Sequence, residues 1–260
     1  MRFIDAHTHT FLRGPEDLAR MAQSGVRAAV VCAFLPVAPT GAASLLDLFT
    51  WLDTVERARL DAAGIALRLA VGIHPRSMPP EEDVERVLDA VRAKVESGRA
   101  VAIGEIGLES GSDAEEALLL RQLVLARELG VPAIVHTPRA NKTARVEATL
   151  RLIDASGIAP AAVLLDHLTG EGIEALDRER RGLWMGLTVQ PGKTTPEDIA
   201  AILARRGPER LVVDSDLSHL PSDPCAVAEA ARRLGELGVA PEAIARVTWE
   251  NASIALGLWG

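Results

Sequence analysis

Apolar runs of strand length alternate with amphipathic stretches along the whole chain. Residues 26–34 form one such run, rich in Val and Ala, which is typical of a strand buried on both faces of a parallel sheet. In the next stretch Ser44 can cap a helix that Gly64 ends. The apolar face of that helix is predicted from helical spacing to consist of Leu45, Leu48, Phe49, Leu52 and Val55.

The same pattern predicts eight strands, at 2–5, 26–34, 65–72, 100–104, 131–135, 161–166, 182–189 and 210–214. It predicts helices at 15–24, 45–63, 81–97, 113–129, 141–155, 171–180, from Thr195-Pro196 onward, at 224–237 and at 241–256. Ser112 and Glu115 have the spacing of a capping box at the start of one helix.

Regular alternation of strands and helices implies parallel strand pairing with helical crossovers. For 260 residues the best closed arrangement is an α/β fold of the (β/α)8 TIM barrel type, spanning residues 1–260 as a single domain. An open, doubly wound sheet is the alternative. It usually has fewer strands at this length, and no glycine-rich nucleotide fingerprint follows the first strand.

Composition narrows the possible partners. Hydrophobic residues make up 48% of the chain and charged residues 25%, which suits a folded domain. The net charge of −8 offers no general basic footprint for nucleic acid, and four Phe, four Trp and no Tyr argue against a long groove for unpaired bases. A small phosphodiester pocket remains compatible with these numbers.

The cysteines and the apolar segments predict a cytoplasmic protein without a membrane anchor. Cys32 and Cys225 cannot form a disulfide framework and are expected to be reduced. The N-terminus lacks the apolar core of a signal peptide, and no apolar stretch is long enough to span a bilayer.

The histidines are concentrated at the ends of predicted strands. In the extended segment Asp5-Ala6-His7-Thr8-His9, His7 and His9 are two residues apart and can point the same way. Five of the six histidines follow apolar runs directly, namely His7, His9, His74, His136 and His167. Glu105 and Asp216 occupy equivalent positions, and His219 lies a few residues farther on. A barrel gathers strand ends around one axis, so we expect these side chains to meet.

Imidazoles mixed with carboxylates suit Zn, Mn, Fe or Mg-like ions. A tetrahedral catalytic zinc uses three protein ligands and a water, so this set exceeds the needs of one ion. Two ions sharing a carboxylate would use it fully, and Glu105, on the central strand of the set, is the natural bridge.

Six short pieces of the sequence together resemble the TatD-related branch of metal-dependent hydrolases, within the amidohydrolase-type barrels. The pieces are Asp5-Ala6-His7-Thr8-His9, Gly72-Ile73-His74-Pro75, Ile103-Gly104-Glu105-Ile106-Gly107-Leu108-Glu109, Val135-His136-Thr137, Asp166-His167-Leu168-Thr169-Gly170 and Asp214-Ser215-Asp216. They occur in the order of the family and cover nearly the whole chain.

The resemblance implies a role for each of these site residues. His7 and His9 would bind one divalent ion, His136 and His167 the other, and Glu105 would bridge the two ions. Asp216 would complete the metal site against the attacking water, so Asp216 and Glu105 are the predicted catalytic residues. His74 is predicted to bind substrate, together with Arg139. The cofactors implied are two divalent ions, with Zn, Mn and Mg as candidates.

The departures from the family pattern concern the loops around the predicted site. Pro138 intervenes before Arg139, Glu109 replaces the usual aspartate, and Asp214-Ser215-Asp216 stands where the best-studied nucleases have Glu-Thr-Asp. The loop 188–193 also differs from theirs. We interpret Glu109 as a solvated loop acid, and Lys193 as one of several loop cations on the working face.

The sequence therefore predicts a metal-dependent hydrolase in which a binuclear site activates a water. Through the family resemblance, phosphoester or phosphodiester bonds are the first expectation, with a small molecule or a short nucleic acid as substrate. Hydrolysis of a small ester, lactone or amide is the alternative. A metal-binding protein that acts in a pathway without catalysis is the remaining hypothesis.

Overall fold

The computed structural model of the chain describes residues 1–179 and 182–258. The helices are Pro15–Ser24 (α1), Ala42–Trp51 (α2), Arg57–Ala63 (α3), Glu81–Glu96 (α4), Asp113–Leu129 (α5), Lys142–Ser156 (α6), Gly170–Glu179 (α7), Pro196–Arg206 (α8), Ala226–Glu236 (α9), Pro241–Ala245 (α10) and Asn251–Ala255 (α11). The strands are Phe3–Thr8 (β1), Val26–Cys32 (β2), Ala66–Val71 (β3), Ala102–Gly107 (β4), Ala133–His136 (β5), Val163–Leu165 (β6), Trp184–Thr188 (β7) and Leu211–Asp214 (β8).

The eight strands form one parallel sheet in the order β1 to β8. The sheet curls until the segment after β8 meets the end of β1, where the Asp216 N–H donates to the His7 carbonyl at 3.0 Å and the His9 N–H donates to the Leu217 carbonyl at 2.7 Å. The TIM-barrel prediction is therefore confirmed, and the carboxyl ends of all eight strands face one rim.

Two layers of apolar side chains hold the sheet. A large cluster between the strands and the surrounding helices contains alternate strand residues such as Ala29 and Val31. Their neighbours Ala28, Val30 and Cys32 belong to a second, smaller cluster on the other face of the sheet. Successive strand residues point to opposite faces, so the second cluster fills the inside of the barrel, with mostly small residues.

The helix predicted at 45–63 is interrupted. A π-helical turn at Leu52–Glu56 separates α2 from α3, and because such a turn holds an extra residue it rotates the following side chains around the axis. Val55, predicted to lie on the apolar face, is 44% exposed. Asp53 and Glu56 are buried instead.

Other boundaries shift by a few residues. The predicted strand at 2–5 continues to Thr8 and the one at 100–104 to Gly107, whereas the one at 161–166 is only Val163–Leu165. The Ser112 hydroxyl accepts the Glu115 N–H as predicted, but the Glu115 carboxylate binds backbone N–H groups of residues 109–111. The reciprocal capping box is formed by Thr195 and Asp198. The predicted end of the helix at 171–180 lies outside the described residues.

No helix in residues 1–179 and 182–258 combines the length and apolar character needed to cross a bilayer.

Candidate metal centre

All the histidines and acids predicted for the site except the outlying His219 come together at the carboxyl rim of the barrel. His7 and Glu105 lie inside β1 and β4, and His136 is the last residue of β5. Both His7 and Glu105 were expected just beyond strands, because those strands were predicted to end earlier. His9, His74, His167 and Asp216 follow β1, β3, β6 and β8 within three residues. His219 lies at the mouth, where its ring stacks on Phe34.

Glu105 is the centre of the arrangement, and its carboxylate is 3% exposed. One oxygen, Oε2, lies 3.3 Å from His7 Nε2 and 3.4 Å from His9 Nε2. The other, Oε1, lies 3.0 Å from His136 Nδ1 and 3.3 Å from His167 Nε2. Each carboxylate oxygen thus faces its own pair of imidazoles.

The outer nitrogens of three of these rings face oxygen atoms that accept a hydrogen bond. His9 Nδ1 lies 2.9 Å from the Cys32 carbonyl oxygen, and His136 Nε2 lies 3.0 Å from a Glu109 oxygen. His7 Nδ1 contacts the carboxylate of Asp166. A carbonyl or carboxylate oxygen fixes the proton on the nitrogen facing it, so the inner nitrogens keep lone pairs for a cation.

The hydrogen bonds of His74 indicate a different role. Its Nδ1 accepts the Arg76 N–H at 3.0 Å, so a neutral ring carries its proton on Nε2. Burial lowers the pKa of His74 well below its usual value, with further lowering by His136 and Arg76, which keeps the ring neutral. Its Nε2 lies 3.7 Å from Glu105 Oε2 and has no hydrogen-bond partner among the described residues. His74 therefore presents a free N–H donor to the site.

Asp216 extends the centre toward the mouth of the barrel. Its Oδ1 lies 3.3 Å from His9 Nε2, and its Oδ2 accepts a hydrogen bond from Lys193 Nζ at 2.5 Å. Burial would raise the pKa of Asp216, but the His9 hydrogen bond and the charges of His167 and Lys193 outweigh it and hold the pKa well below the usual range. Asp216 is thus a carboxylate with one oxygen directed at the imidazoles.

Acidic side chains behind the histidines orient them. Asp166 accepts the His167 N–H at 2.7 Å in addition to its contact with His7. A Cβ at Gly186 would overlap the Asp166 carboxylate, so glycine is required on the neighbouring strand. Asp5 binds Ser215 through both oxygens, at 2.9 and 2.5 Å, and so fixes the segment after β8.

Sequence reasoning missed three contributors to the site. Glu109, interpreted as a solvated loop acid, contacts His136, and the Thr188 hydroxyl lies 2.7 Å from His167 Nδ1. The Lys142 ammonium donates to the His167 carbonyl at 2.6 Å. The rarity of lysine in this chain, which has three, was the one available signal for Lys142.

Strong charge coupling surrounds Glu105. Burial would raise the pKa of Glu105, but the nearby imidazoles of His7, His74, His136 and His167 hold it well below its usual range. Burial would likewise lower the pKa values of His9 and His136, but contacts with the carboxylates of Asp216, Glu105 and Glu109 raise them. The carboxylates therefore stabilise positive charge on their neighbours, and protons on the imidazoles supply that charge in the absence of a metal ion.

These observations fit divalent metal ions. Ligand atoms of His7, His9 and Glu105 lie within 4.8 Å of one another, and His7 Nε2 and His136 Nδ1 are buried without a hydrogen-bond partner among the described residues. Buried nitrogens with lone pairs directed at a carboxylate are explained by a cation between them.

Within the described part of the chain, two other buried groups lie equally close together, one of His74, Glu105 and His136 around the same carboxylate, and one of His7, Asp166, His167 and Asp214. In the latter group, the His7 nitrogen that faces Asp166 carries a proton. Burial and the neighbouring Asp166 raise the pKa of Asp214 well above its usual value, which disfavours the anionic form that a metal ligand needs. This group therefore supports the histidines around Glu105 and does not form another metal site.

The centre opens into a cavity of about 690 Å³, within the size range of small-molecule sites. Its cationic lining residues are Arg76, Arg139, Lys142, Lys193 and Arg205. Arg139 is exposed, and its Nη2 donates to Gln190 Oε1 at 3.4 Å. The cavity thus joins the imidazole and carboxylate cluster to a wall rich in positive charge.

Comparison with known proteins gives the family. The model of the TatD related DNase family matches residues 4–257. An uncharacterized metal-dependent hydrolase of Methanocaldococcus jannaschii is 32% identical over 249 residues, which are 96% of this chain and 97% of that protein. A 3'-5' ssDNA/RNA exonuclease TatD of Enterobacter lignolyticus is 32% identical over 124 residues, which are 45% of this chain and 44% of that protein.

Solved structures agree with these matches. The crystal structure of a TatD-like protein from Archaeoglobus fulgidus superimposes with a TM-score of 0.82 at 32% identity, covering 98% of this chain and 100% of that one. A phosphotriesterase homology protein of Escherichia coli reaches 0.74 at 18% identity, covering 97% of each chain, and shares the fold. This chain therefore belongs to the TatD-related DNase family and is a metal-dependent hydrolase of that type.

Proposed function

We propose that this hydrolase cleaves phosphoester bonds, with phosphodiesters as the preferred class, at a centre that holds two divalent ions. The observation that carries the proposal is the division of Glu105 between two pairs of histidines, one pair on each oxygen. The cationic wall of the cavity supports an anionic substrate. The name of the Enterobacter relative, an ssDNA/RNA exonuclease, points to the same class of bond.

The ligands divide into two sets in this proposal. His7, His9 and Asp216 would hold one ion, His136 and His167 would hold the other, and Glu105 would be shared. Mixed imidazole and carboxylate donors suit Zn, Mn or Mg-like ions. When bound, such ions lower the pKa of a water and polarise the phosphoryl oxygen.

The side chains around the ions complete the reaction. Asp216 Oδ1, the oxygen that faces His9, accepts a proton from the attacking water. The free Nε2–H of His74 donates a hydrogen bond to a non-bridging phosphoryl oxygen, where charge develops in the transition state. Arg139, at the cavity wall, binds a second anionic oxygen of the substrate.

Turnover of a panel of phosphoester, lactone and amide substrates tests the proposal. Protein loaded with Mn or Zn is assayed on bis(p-nitrophenyl) phosphate, p-nitrophenyl phosphate, end-labelled single-stranded oligonucleotides, lactones and N-acyl amino acids. We expect turnover of the phosphodiesters and a rise in KM of about tenfold in Arg139→Met, from loss of one charged contact. Turnover of lactones or amides without any phosphoester cleavage would contradict the proposal.

A further inference from the structure

The loop between β7 and α8 folds back over the rim of the barrel. The Val189 N–H donates to the Asp214 carbonyl at 2.8 Å, and the Thr194 N–H donates to the Thr188 carbonyl at 3.1 Å. Between these bonds Gly192 turns the chain with a φ of 78°, a left-handed value that favours glycine. The turn directs the side chain of Lys193, which is 13% exposed, at the metal centre.

Asp216 is held by this loop in an uncommon backbone conformation. Its φ is 44°, in the left-handed region that few non-glycine residues occupy. Its N–H donates to the His7 carbonyl, and its own carbonyl accepts the Gln190 side-chain amide at 2.8 Å. Lys193 Nζ donates a hydrogen bond to Oδ2. An uncommon backbone conformation persists where the surrounding contacts hold it in place. With Oδ2 bound to Lys193, Oδ1 is the oxygen that faces His9.

We propose that Lys193 is a positioning residue for the reaction, and that it keeps Asp216 Oδ1 directed at the ion site of His7 and His9. A carboxylate freed from Lys193 can rotate toward solvent or toward other cations of the cavity. The compact ammonium binds Oδ2 and also lies within hydrogen-bond distance of His167 Nδ1, at 3.2 Å, so it links Asp216 to a histidine of the centre. The chain carries three lysines among 28 Lys and Arg residues, so this choice departs from its usual cation.

The inference rests on the proposed metal centre, but not on the proposed substrate. It can therefore be tested with metal alone. Protein stripped with a chelator is titrated with Mn²⁺ or Co²⁺ by calorimetry, as wild type, Lys193→Met and Arg205→Met. Arg205 lines the same cavity, pairs with Glu174 and is 48% exposed, so its substitution removes a charge from the cavity without touching Asp216.

We expect Lys193→Met to weaken binding of one of the ions by about tenfold to 100-fold, as loss of a partner that orients a ligand typically does. The visible spectrum of bound Co²⁺ should change as well, while Arg205→Met leaves both readouts at wild-type values. In turnover, kcat of Lys193→Met should fall more than KM rises. Should Lys193→Met prove insoluble, Lys193→Gln carries the expectation of at least about a tenfold loss of affinity.

Three outcomes would overturn the inference, each in a recognisable way, and a fourth would affect only the proposed substrate. If Lys193→Met bound the ions with wild-type affinity, Asp216 would not depend on Lys193 for its orientation. Equal losses in Lys193→Met and Arg205→Met would reduce the effect to the general charge of the cavity. A rise in KM alone would make Lys193 a substrate contact. A wild-type protein that binds ions but cleaves no phosphoester would defeat the proposed substrate and leave this test intact.

Discussion

Glu105 and Asp53 are two buried carboxylates with opposite surroundings. Asp53, in the π-helical turn, is 4% exposed and binds Arg99 Nε at 2.8 Å, Lys94 Nζ at 2.8 Å and Arg57 Nη2 at 3.1 Å. Its cations come from helices and from the segment that leads into β4. Glu105, inside that strand, is also buried but faces imidazoles at 3.0 to 3.4 Å.

The difference separates a charge that is paired within the protein from one that is not. Burial would raise the pKa of Asp53, but hydrogen bonds from Arg99, Lys94 and Arg57 lower it to about 2, so its charge is neutralised by permanent cations. The partners of Glu105 are imidazoles, and the inner nitrogens of His7 and His136 have no hydrogen-bond partner within residues 1–179 and 182–258. A buried charge that the protein leaves incompletely paired is the place where a bound cation is expected.

The largest expected effect is on activity. Glu105→Gln should lower kcat/KM for a phosphodiester by about 1,000-fold, equivalent to about 4 kcal/mol, because the amide cannot serve both ion sites. Unfolding of the metal-free variant in urea should match the metal-free wild type within about 1 kcal/mol, because the imidazoles that face residue 105 can release their protons and leave no unpaired buried charge. Near wild-type activity would place Glu105 in the same structural class as Asp53.

Removal of metal should distinguish the two carboxylates next. Ions at 100 times their Kd stabilise the folded state by about 2.7 kcal/mol, so a chelator should lower the unfolding midpoint of the wild type. The same treatment should leave Glu105→Gln unchanged, whereas Asp53→Asn should respond like the wild type. A chelator effect of equal size in all three proteins, measured by thermal unfolding, would show that the ions bind elsewhere.

Asp53→Asn should cost stability and spare catalysis. Loss of the charge leaves three cations without their shared partner, which we expect to lower the free energy of unfolding by about 2 kcal/mol at pH 7. Because the folded pKa of Asp53 lies below the unfolded value of 3.8, its contribution is present above about pH 4 and is lost as pH falls through about 2.

Urea unfolding at several pH values checks this sign. The deficit of Asp53→Asn against wild type should shrink between pH 4 and pH 2, with kcat at neutral pH unaltered. A deficit that persists at pH 2 would show that hydrogen bonding of the neutral acid, and not its charge, supplies the stability.

The smallest expected effect concerns Glu109, which bridges the two classes. It is half-buried, and its hydrogen bond to His136, opposed by partial burial, holds its pKa below the usual value. Glu109→Ala should weaken ion binding by about tenfold, since His136 loses the acceptor that fixes its ring. Calorimetric titration with Mn²⁺ measures this, with Glu116→Ala, at a partly exposed acid of α5, as the control. If both variants bound Mn²⁺ with equal affinity, Glu109 would be a solvated acid without a role in ion binding.

The comparison also shows what the sequence can predict. Apolar runs and their spacing suffice for eight parallel strands, because strand burial is a local pattern that repeats. The histidines follow from the same logic, since strand ends in a barrel must meet. The π-helical turn that buries Asp53 and exposes Val55 could not be predicted from helical spacing, which assumes an unbroken register.

Contacts made by loops were equally beyond the sequence. Glu109 reaches His136 and Lys193 reaches Asp216 across sequence separations of 27 and 23 residues, through turns whose geometry no periodicity specifies. The distinction between His74 and the other histidines depends on a single backbone N–H, that of Arg76. Residue types therefore predicted which side chains meet at the rim, while their hydrogen bonds distinguish one histidine from another.

The most direct test of the account is the number of divalent ions bound per chain. Wild-type protein and Glu105→Gln are dialysed against Mn²⁺ or Zn²⁺ and analysed by inductively coupled plasma mass spectrometry. A carboxylate shared between two sites predicts about two ions per wild-type chain and fewer than one in the variant. Two ions in the variant, or none in the wild type, would contradict the central role of Glu105.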